Sequence, residues 1–366
     1  MMKLSELTSF LETIAPLAYQ EDYDNSGLIV GNPDKEISGA LISLDCTEAI
    51  VNEAIENGFD LIISHHPIIF KGLKKLNGKT YVERVVMKAI RHDIAIYAIH
   101  TNFDHVLIGV NAKICAKLGL SDCKILSPKE DLLKKLVTFC PTAQAGQLRE
   151  ALFRVGSGNI GNYSECSFNT EGLGTFKGNE DTKPFVGRQG EQHHEPEIRI
   201  ETIYPAYRER QILLALHEAH PYEEVAYDLY PLSNTYQEVG AGMIGWLEQE
   251  TDELEFLKFV KEQLHAKVLR YTDLKNKKVK RIAVCGGAGS FLLPRAISAG
   301  ADVFITSDYK YHEFFDADRN IVIADVGHFE SEQFTQELLL ELITEKFHNF
   351  ALRLTVQNTN PINYLI

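Results

Sequence analysis

The amino-acid sequence predicts an α/β protein with mainly parallel sheets, interrupted by a smaller α+β domain. Strand-like and helix-like segments alternate in the first third and again in the last third of the 366 residues. The stretch between them is Gly-punctuated and Tyr-rich, and the whole chain exceeds what one hydrophobic core usually serves. We therefore predict a discontinuous domain, residues 1–128 and 236–366, and an inserted ferredoxin-like domain, residues 129–235.

The first alternation begins near Gly39. The segments GALISLD and FDLIISHHP are typical of strands, and TEAIVNEAIENG between them is typical of a helix, with Thr47 as its N-cap and Gly58 as its stop. The next helix, VERVVMKAIRHD, leads into IAIYAIH, whose near-continuous apolar run suits a strand covered on both faces. This order of strand, helix and strand predicts a mainly parallel sheet.

The alternation returns near the C-terminus. KRIAVCGGAG, ADVFITSD and NIVIADVGH have the apolar runs of buried strands. FLLPRAISAG and SEQFTQELLLELITEKF have the apolar spacing of helices. We expect these elements to pair with those of the first third across the insertion.

The inserted segment has its own alternation. KKLVTFCP, EIRIETIYP and VAYDLYPL are strand-like, a further strand pair surrounds the Gly-rich middle, and GQLREALFRVG and RERQILLALHEAH are helix-like. The order strand, helix, strand, strand, helix, strand is that of a ferredoxin-like plait.

The composition is that of a folded protein and disfavours several functions. Apolar residues make up 45% and charged residues 24%, and the net charge of -14 disfavours a nucleic-acid groove, which needs clustered Lys and Arg. No apolar run is long enough to span a bilayer, and Glu6 and Glu12 interrupt the N-terminal apolar residues that a signal peptide would need. The six cysteines include no CxxC pair. We expect a cytoplasmic protein without membrane contact.

Three segments place polar side chains just beyond an apolar strand, where open α/β sheets have their ligand sites. LIISHHPII supplies His65 and His66, and IYAIHTNFDH supplies Asp104. IVIADVGHFESE supplies His328 and Glu332, which share one face if a helix begins near His328. Taken singly, each histidine is more often an ordinary core or surface residue. Together the three segments predict one joint metal site at the strand ends.

The ligand types indicate two divalent metal ions in each subunit. Three imidazoles and two carboxylates suit zinc, with iron or manganese as alternatives, better than calcium or magnesium. One carboxylate, which we expect to be Asp104, bridges ions roughly 3.5–4 Å apart. Such a pair lowers the pKa of a water molecule and polarises the bond under attack, which favours hydrolysis. His100 is a candidate for catalytic proton transfer or for an ordinary hydrogen bond.

Other polar segments have alternative roles. Asp308 and His312, in TSDYKYHEF, follow a strand and are candidates for substrate contact. GGAGS after RIAVC is either an anion-binding turn at a helix N-terminus or a tight turn from strand to helix. YDNSGL, at residues 23–28, either forms a turn or approaches the site.

With these residues identified, the chain resembles the GTP cyclohydrolase 1 type 2 homologue, or Nif-three-like, family of dinuclear metal proteins. The resemblance implies that His65, His66, Asp104, His328 and Glu332 are the metal ligands. It also implies a toroidal homohexamer and, for the insertion, similarity to the PII signal proteins in a bacterial version of the family. The motifs that carry it span nearly the full length: YDNSGL, SHHP, HTNFDH, HPYEEVAYDLYPL, CGGAGS, TSDYKYH and GHFESE.

Two functions fit these observations. The first is a metal-dependent hydrolase of a small nucleotide-like or phosphorylated substrate, with GTP ring opening implied only through the family. The alternative is a non-catalytic regulatory or metal-handling hexamer whose inserted domain senses a ligand or controls access to the site. A nucleic-acid-binding ring is disfavoured by the net charge of -14.

Overall fold

The computed structural model describes residues 1–365 in two compact units. The first unit comprises Met1–Ser127 and the chain from Val239 onward, and the second comprises Pro128–Glu238. The strands, in chain order, are β1 (Met2–Lys3), β2 (Gly27–Val30), β3 (Glu36–Ile37), β4 (Gly39–Ser43), β5 (Leu61–Ser64), β6 (Ala95–Ala98), β7 (Ser121–Lys129), β8 (Leu133–Pro141), β9 (Phe168–Phe176), β10 (His193–Pro205), β11 (Tyr227–Leu232), β12 (Tyr236–Asp252), β13 (Arg270–Tyr271), β14 (Lys278–Ala288), β15 (Val303–Ser307), β16 (Val322–Asp325) and β17 (Ala351–Leu354).

Helices connect most of these strands. The α-helices are α1 (Leu4–Ile14), α2 (Glu48–Asn57), α3 (Tyr81–Arg91), α4 (Thr101–Asp104), α5 (Val110–Lys117), α6 (Ala145–Arg154), α7 (Glu209–Ala219), α8 (Glu253–Gln263), α9 (Leu293–Ser298), α10 (His328–Glu332) and α11 (Thr335–Lys346). Short 3₁₀ helices lie at Leu17–Tyr19, Ala206–Arg208, Ser290–Leu292 and Tyr311–Ala317. Within residues 1–365, no helix combines the length and the apolar character that crossing a bilayer requires.

The first unit contains a five-stranded sheet in the order β17-β4-β5-β6-β2. Its first four strands are parallel, and β2 runs antiparallel to β6. The β4-α2-β5 connection forms where the sequence predicts it, because the Thr47 side chain caps α2 and Gly58 ends it with a φ of 70°. Ile50 of α2 and Val85 of α3 pack with Ile62 of β5 in one core. Burying each such side chain contributes about 1.5–3 kcal/mol.

A second sheet of the same unit has the order β13-β16-β15-β14-β12-β7. Strands β14, β15 and β16 are parallel, whereas β12 and β13 are antiparallel to their neighbours β14 and β16. The expectation of mainly parallel sheets is therefore too simple: the fold is mixed α/β, with antiparallel strands beside the parallel ones. Both of these larger sheets contain strands from before and after the insertion, since β17 joins the first and β7 joins the second, whereas the small sheet β1-β3 lies wholly before it.

The second unit contains a four-stranded sheet in the order β11-β8-β10-β9, with every neighbouring pair antiparallel. Helix α6 lies between β8 and β9 in the chain, and α7 lies between β10 and β11. This element order is that of a ferredoxin-like plait. One face of the sheet is buried by the helices, with Leu136 and Ile200 packed against Leu148 and Ile212.

Candidate metal centre

The candidate ligands lie directly after three strands of the first unit. His65 and His66 follow β5, Asp104 ends the short helix α4 after β6, and α10 begins at His328 and ends at Glu332 after β16. Residues four apart in a helix are neighbours on one face, so α10 presents its imidazole and its carboxylate together. The five predicted ligands are thus brought together at strand ends.

The ligand atoms converge on one small volume. Glu332 Oε2 lies 3.0 Å from His66 Nε2 and 3.1 Å from His328 Nε2, and these two nitrogens are 3.3 Å apart. His65 Nε2 lies 3.6 Å from Asp104 Oδ1 and 3.9 Å from Glu332 Oε2. All five predicted ligands therefore contribute to a single cluster.

Each imidazole of the cluster is oriented by a hydrogen bond on its other side. Nδ1 donates to an acceptor outside the cluster, so Nε2 is the nitrogen that remains available to a metal ion once it is deprotonated. His100, which follows β6, joins the cluster in this way, with its ring centroid 5.3 Å from that of His65. The four bonds are His65 to Ile99 O at 2.8 Å, His66 to Asp45 at 2.8 Å, His100 to Asp24 at 2.8 Å and His328 to Asp308 at 2.7 Å.

Three buried atoms of the cluster have no hydrogen-bond partner among the residues described: His65 Nε2, Asp104 Oδ1 and Glu332 Oε2. Leaving a buried polar atom unsatisfied costs about 1–3 kcal/mol, and more for a charged group. Ligand atoms also fall into three overlapping groups, within each of which they lie within 4.8 Å of one another: His65, His66 and His100; His66, His328 and Glu332; and His65, Asp104 and Glu332. These residues could hold a metal ion, which would satisfy the unpartnered atoms.

The carboxylates in and around the cluster favour a positive charge beside them. Burial alone would lower the pKa of His66, but the hydrogen bond to Asp45 and the Glu332 carboxylate raise that pKa to about 10. Burial acts in the same direction on His328, and Glu332 with Asp308 raises its pKa to about 11. Burial and the charge of Glu332 raise the pKa of Asp104 to about 7. A proton or a metal cation can supply the charge that the carboxylates need.

The glycine motif at the end of β14 leaves space for the Glu332 side chain of the cluster. Gly287 has a φ of +64°, and a Cβ there would lie 2.4 Å from Glu332 Oε1. Its amide donates to Ser331 Oγ at 3.0 Å, so that amide does not point at a ligand. Of the two alternatives for GGAGS, the close turn therefore fits Gly287 better than an anion cradle.

The cluster lies at a cavity of about 930 Å³. Its wall includes several partly exposed aromatic rings and a stretch near the C-terminus, where Thr359 Oγ1 donates to Asp45 Oδ2 at 2.6 Å. Asp45 thus lies between the imidazole of His66 and the chain end. The aromatic side chains of the wall are Tyr23, Phe70, Tyr81, Phe291 and Phe329.

The two candidates for substrate contact lie outside the wall of this cavity. Asp308 accepts the Nδ1 proton of His328, and His312 is exposed on a 3₁₀ helix with its ring near Tyr311 and Phe315. Asp24, in the YDNSGL segment whose role was open, approaches the site through His100. Sequence reasoning missed Asp45, although it follows the apolar strand β4 and the strand-end argument applies to it equally.

Comparisons with known proteins agree over the full chain. A family model described as Duf34/NIF3 (NGG1p interacting factor 3) matches residues 2–361. The chain is 39% identical over 359 residues to the GTP cyclohydrolase 1 type 2 homolog of Halalkalibacterium halodurans, covering 97% of this chain and 96% of that protein. It is 38% identical over 366 residues to the Bacillus subtilis protein of the same name, covering 98% of both. The crystal structure of a Bacillus cereus protein related to NIF3 superimposes with a TM-score of 0.86 and 38% identity, covering 100% of this chain and 99% of that one.

Proposed function

Because the chain belongs to the Duf34/NIF3 family, we propose that it binds two divalent cations and hydrolyses a small nucleotide-like or phosphorylated substrate. The observation that carries the proposal is the orientation of three imidazoles, those of His65, His66 and His328. Each has Nδ1 hydrogen-bonded outward and Nε2 within 4 Å of the Asp104 or Glu332 carboxylate. Such outer partners are characteristic of metal-binding histidines. Nitrogen and oxygen ligands in this ratio suit zinc, iron or manganese.

We assign one ion to His65, Asp104 and Glu332 and the other to His66, His328 and Glu332, since each of these triads brings its ligand atoms within 4.8 Å. Glu332 belongs to both triads, whereas Asp104 belongs to one. The shared carboxylate in this proposal is therefore Glu332, in place of the Asp104 expected from sequence. When bound, such a pair of cations activates water and polarises the bond under attack.

The surrounding residues hold the ligands and handle protons. Asp45 and Asp308 fix the rings of His66 and His328 through their Nδ1 atoms. Burial opposes ionisation of Asp24, but hydrogen bonds from His100 and Thr101 hold its pKa below the usual range. In the proposal His100 accepts a proton at Nε2, because the Asp24 carboxylate stabilises the resulting imidazolium. The cavity of about 930 Å³ has the size of a small-molecule site.

The test combines metal analysis with turnover. The purified protein should contain two divalent ions per chain and turn over one member of a panel of nucleotides, including GTP, and phosphate esters. Asp104→Ala should lose metal and turnover together. Asp34→Ala, a carboxylate whose side chain is 78% exposed, is the matched control and should change neither.

Two results would contradict parts of the proposal. Full metal occupancy without turnover across the panel would refute the hydrolase and support the regulatory or metal-handling alternative. Absence of bound metal after purification and after reconstitution with zinc, iron or manganese would refute both.

We also propose that the chains assemble into a ring-shaped homohexamer and that the second unit is a PII-like insertion, as the family resemblance implies. Exposed aromatic side chains at the cavity wall, Tyr23 at 68%, Tyr81 at 60% and Phe291 at 66%, are consistent with a contact surface. Light scattering should give the mass of six chains. A monomeric or dimeric mass at all concentrations would contradict the hexamer.

A further inference from the structure

The second unit contains its own cavity, of about 600 Å³. Phe176 ends β9, Phe185 lies in the segment between β9 and β10, Glu197 lies on β10 and Tyr222 follows α7. All four side chains line the cavity. None of them belongs to the candidate metal centre, so the proposed hydrolase function does not use this cavity.

The aromatic rings of the cavity meet at steep angles. The Phe176 and Tyr222 centroids are 5.8 Å apart with planes inclined by 61°, and the Phe185 and Tyr222 centroids are 6.4 Å apart with planes inclined by 53°. A nucleobase stacks best in a slot between parallel rings. Inclined walls instead suit a compact, rounded group, and ring faces attract cations through their quadrupole.

A buried carboxylate accompanies these rings. Glu197 is only 8% exposed, and its Oε1 accepts a hydrogen bond of 2.8 Å from the Tyr222 hydroxyl. Within residues 1–365, no hydrogen bond or ion pair reaches its Oε2. That oxygen lies over Gly174, where a Cβ would be 2.1 Å away, so the glycine leaves room for the carboxylate. The Glu197 side chain is therefore mostly buried but keeps one carboxylate oxygen free to pair with a cationic ligand in the cavity.

The rest of the lining is also more acidic than basic. It includes three further carboxylates, Glu171, Glu223 and Glu224, against two basic residues, Lys177 and Arg199. Arg199 is already paired with a carboxylate outside the lining, that of Glu201, at 3.0 Å. The carboxylate side chains of the lining therefore outnumber its basic side chains.

We propose that this cavity is a binding site for a compact organic ammonium ion, held by the faces of Phe176, Phe185 and Tyr222 and by the Glu197 carboxylate. Choline is a suitable probe, and 3,3-dimethylbutan-1-ol has nearly the same shape without the charge. Titrations with the full-length protein, followed by calorimetry and by saturation-transfer NMR, should show saturable choline binding. The neutral alcohol should bind at least about tenfold more weakly, because cation–π attraction and ion pairing are both lost.

Two variants test the contribution of the carboxylate charge and that of an aromatic ring separately. Glu197→Gln keeps the shape and should weaken choline binding about tenfold while leaving the alcohol unchanged. Phe185→Leu should weaken choline binding, whereas Phe168→Leu, at an exposed ring of β9 outside the lining, should not. Unfolding temperatures of the variants show whether each is folded.

Three outcomes would overturn the proposal. They are equal affinity for choline and the alcohol, no saturable binding of choline in the millimolar range, and saturable binding of adenosine with none of choline. The last would assign the cavity to planar heteroaromatic ligands instead. Loss of choline binding in Phe168→Leu would place the site elsewhere on the second unit.

Discussion

Replacing Asp45 with alanine should weaken metal binding although Asp45 is not among the proposed ligands. Its Oδ1 accepts the Nδ1 proton of His66 at 2.8 Å and so sets the direction of Nε2. Loss of such an outer partner typically costs 10–100-fold in metal affinity. The Asp45 side chain is 33% exposed, so water can replace part of the lost interaction. We therefore expect the lower end of this range, about tenfold, or about 1.4 kcal/mol.

The assay is competition for zinc against a chelator of graded concentration, with bound metal measured after equilibration. Because Asp45 orients only His66, the loss should fall on one ion per chain and leave the other in place. Asp34→Ala, at an exposed carboxylate, should retain both ions. Asp45→Ala with wild-type affinity at both ions, in a protein with an unchanged unfolding temperature, would refute the argument that outer hydrogen bonds orient the ligands.

Three further predictions follow from the same site. Gly287→Ala should abolish metal binding, because the new Cβ would lie 2.4 Å from Glu332 Oε1. The control is Gly58→Ala, also at a positive φ, where a new Cβ would have no neighbouring atom within 4 Å. It should cost only about 1 kcal/mol of stability and should retain metal. Metal affinity should rise with pH, because His66 and His328, whose pKa values are raised to about 10 and 11, must each lose a proton to bind a cation. Calorimetry in buffers of different ionisation enthalpy should show about two protons released per chain near neutral pH. Thr359→Val should weaken zinc binding about fivefold in the chelator assay, because Asp45 loses a hydrogen bond worth about 1 kcal/mol. Zinc affinity equal to that of the wild type would show that Thr359 does not help to position Asp45.

The positions of the candidate ligands could be predicted because they depend on local sequence. An apolar run followed by a polar pair locates a strand end, and parallel strands bring their ends to one edge of a sheet. His66 and Glu332 are 266 residues apart in sequence, yet both follow such runs, after β5 and shortly after β16. The alternation of strands and helices likewise predicts the α/β class.

Other features depend on tertiary contacts that local sequence does not encode. Sequence shows that Asp45 and Asp308 follow strands, but not that each faces the outer nitrogen of an imidazole. The choice between Asp104 and Glu332 as the shared carboxylate depends on which ligand atoms lie within 4.8 Å of one another in the folded chain. The antiparallel strands β2 and β13 lie at sheet edges and are short, with four and two residues, so they have no pattern that specifies their direction.

The first residues of the first unit after the insertion contact the segment that follows a proposed metal ligand. The chain leaves the first unit along β7 and returns along β12, and these strands are neighbours in one sheet. Immediately after the return, Val239 forms a bridge with Val106, and the Gly240 amide donates to His105 O at 2.8 Å. His105 directly follows the proposed ligand Asp104. These two backbone contacts of β12 therefore help to position the segment that carries the Asp104 carboxylate.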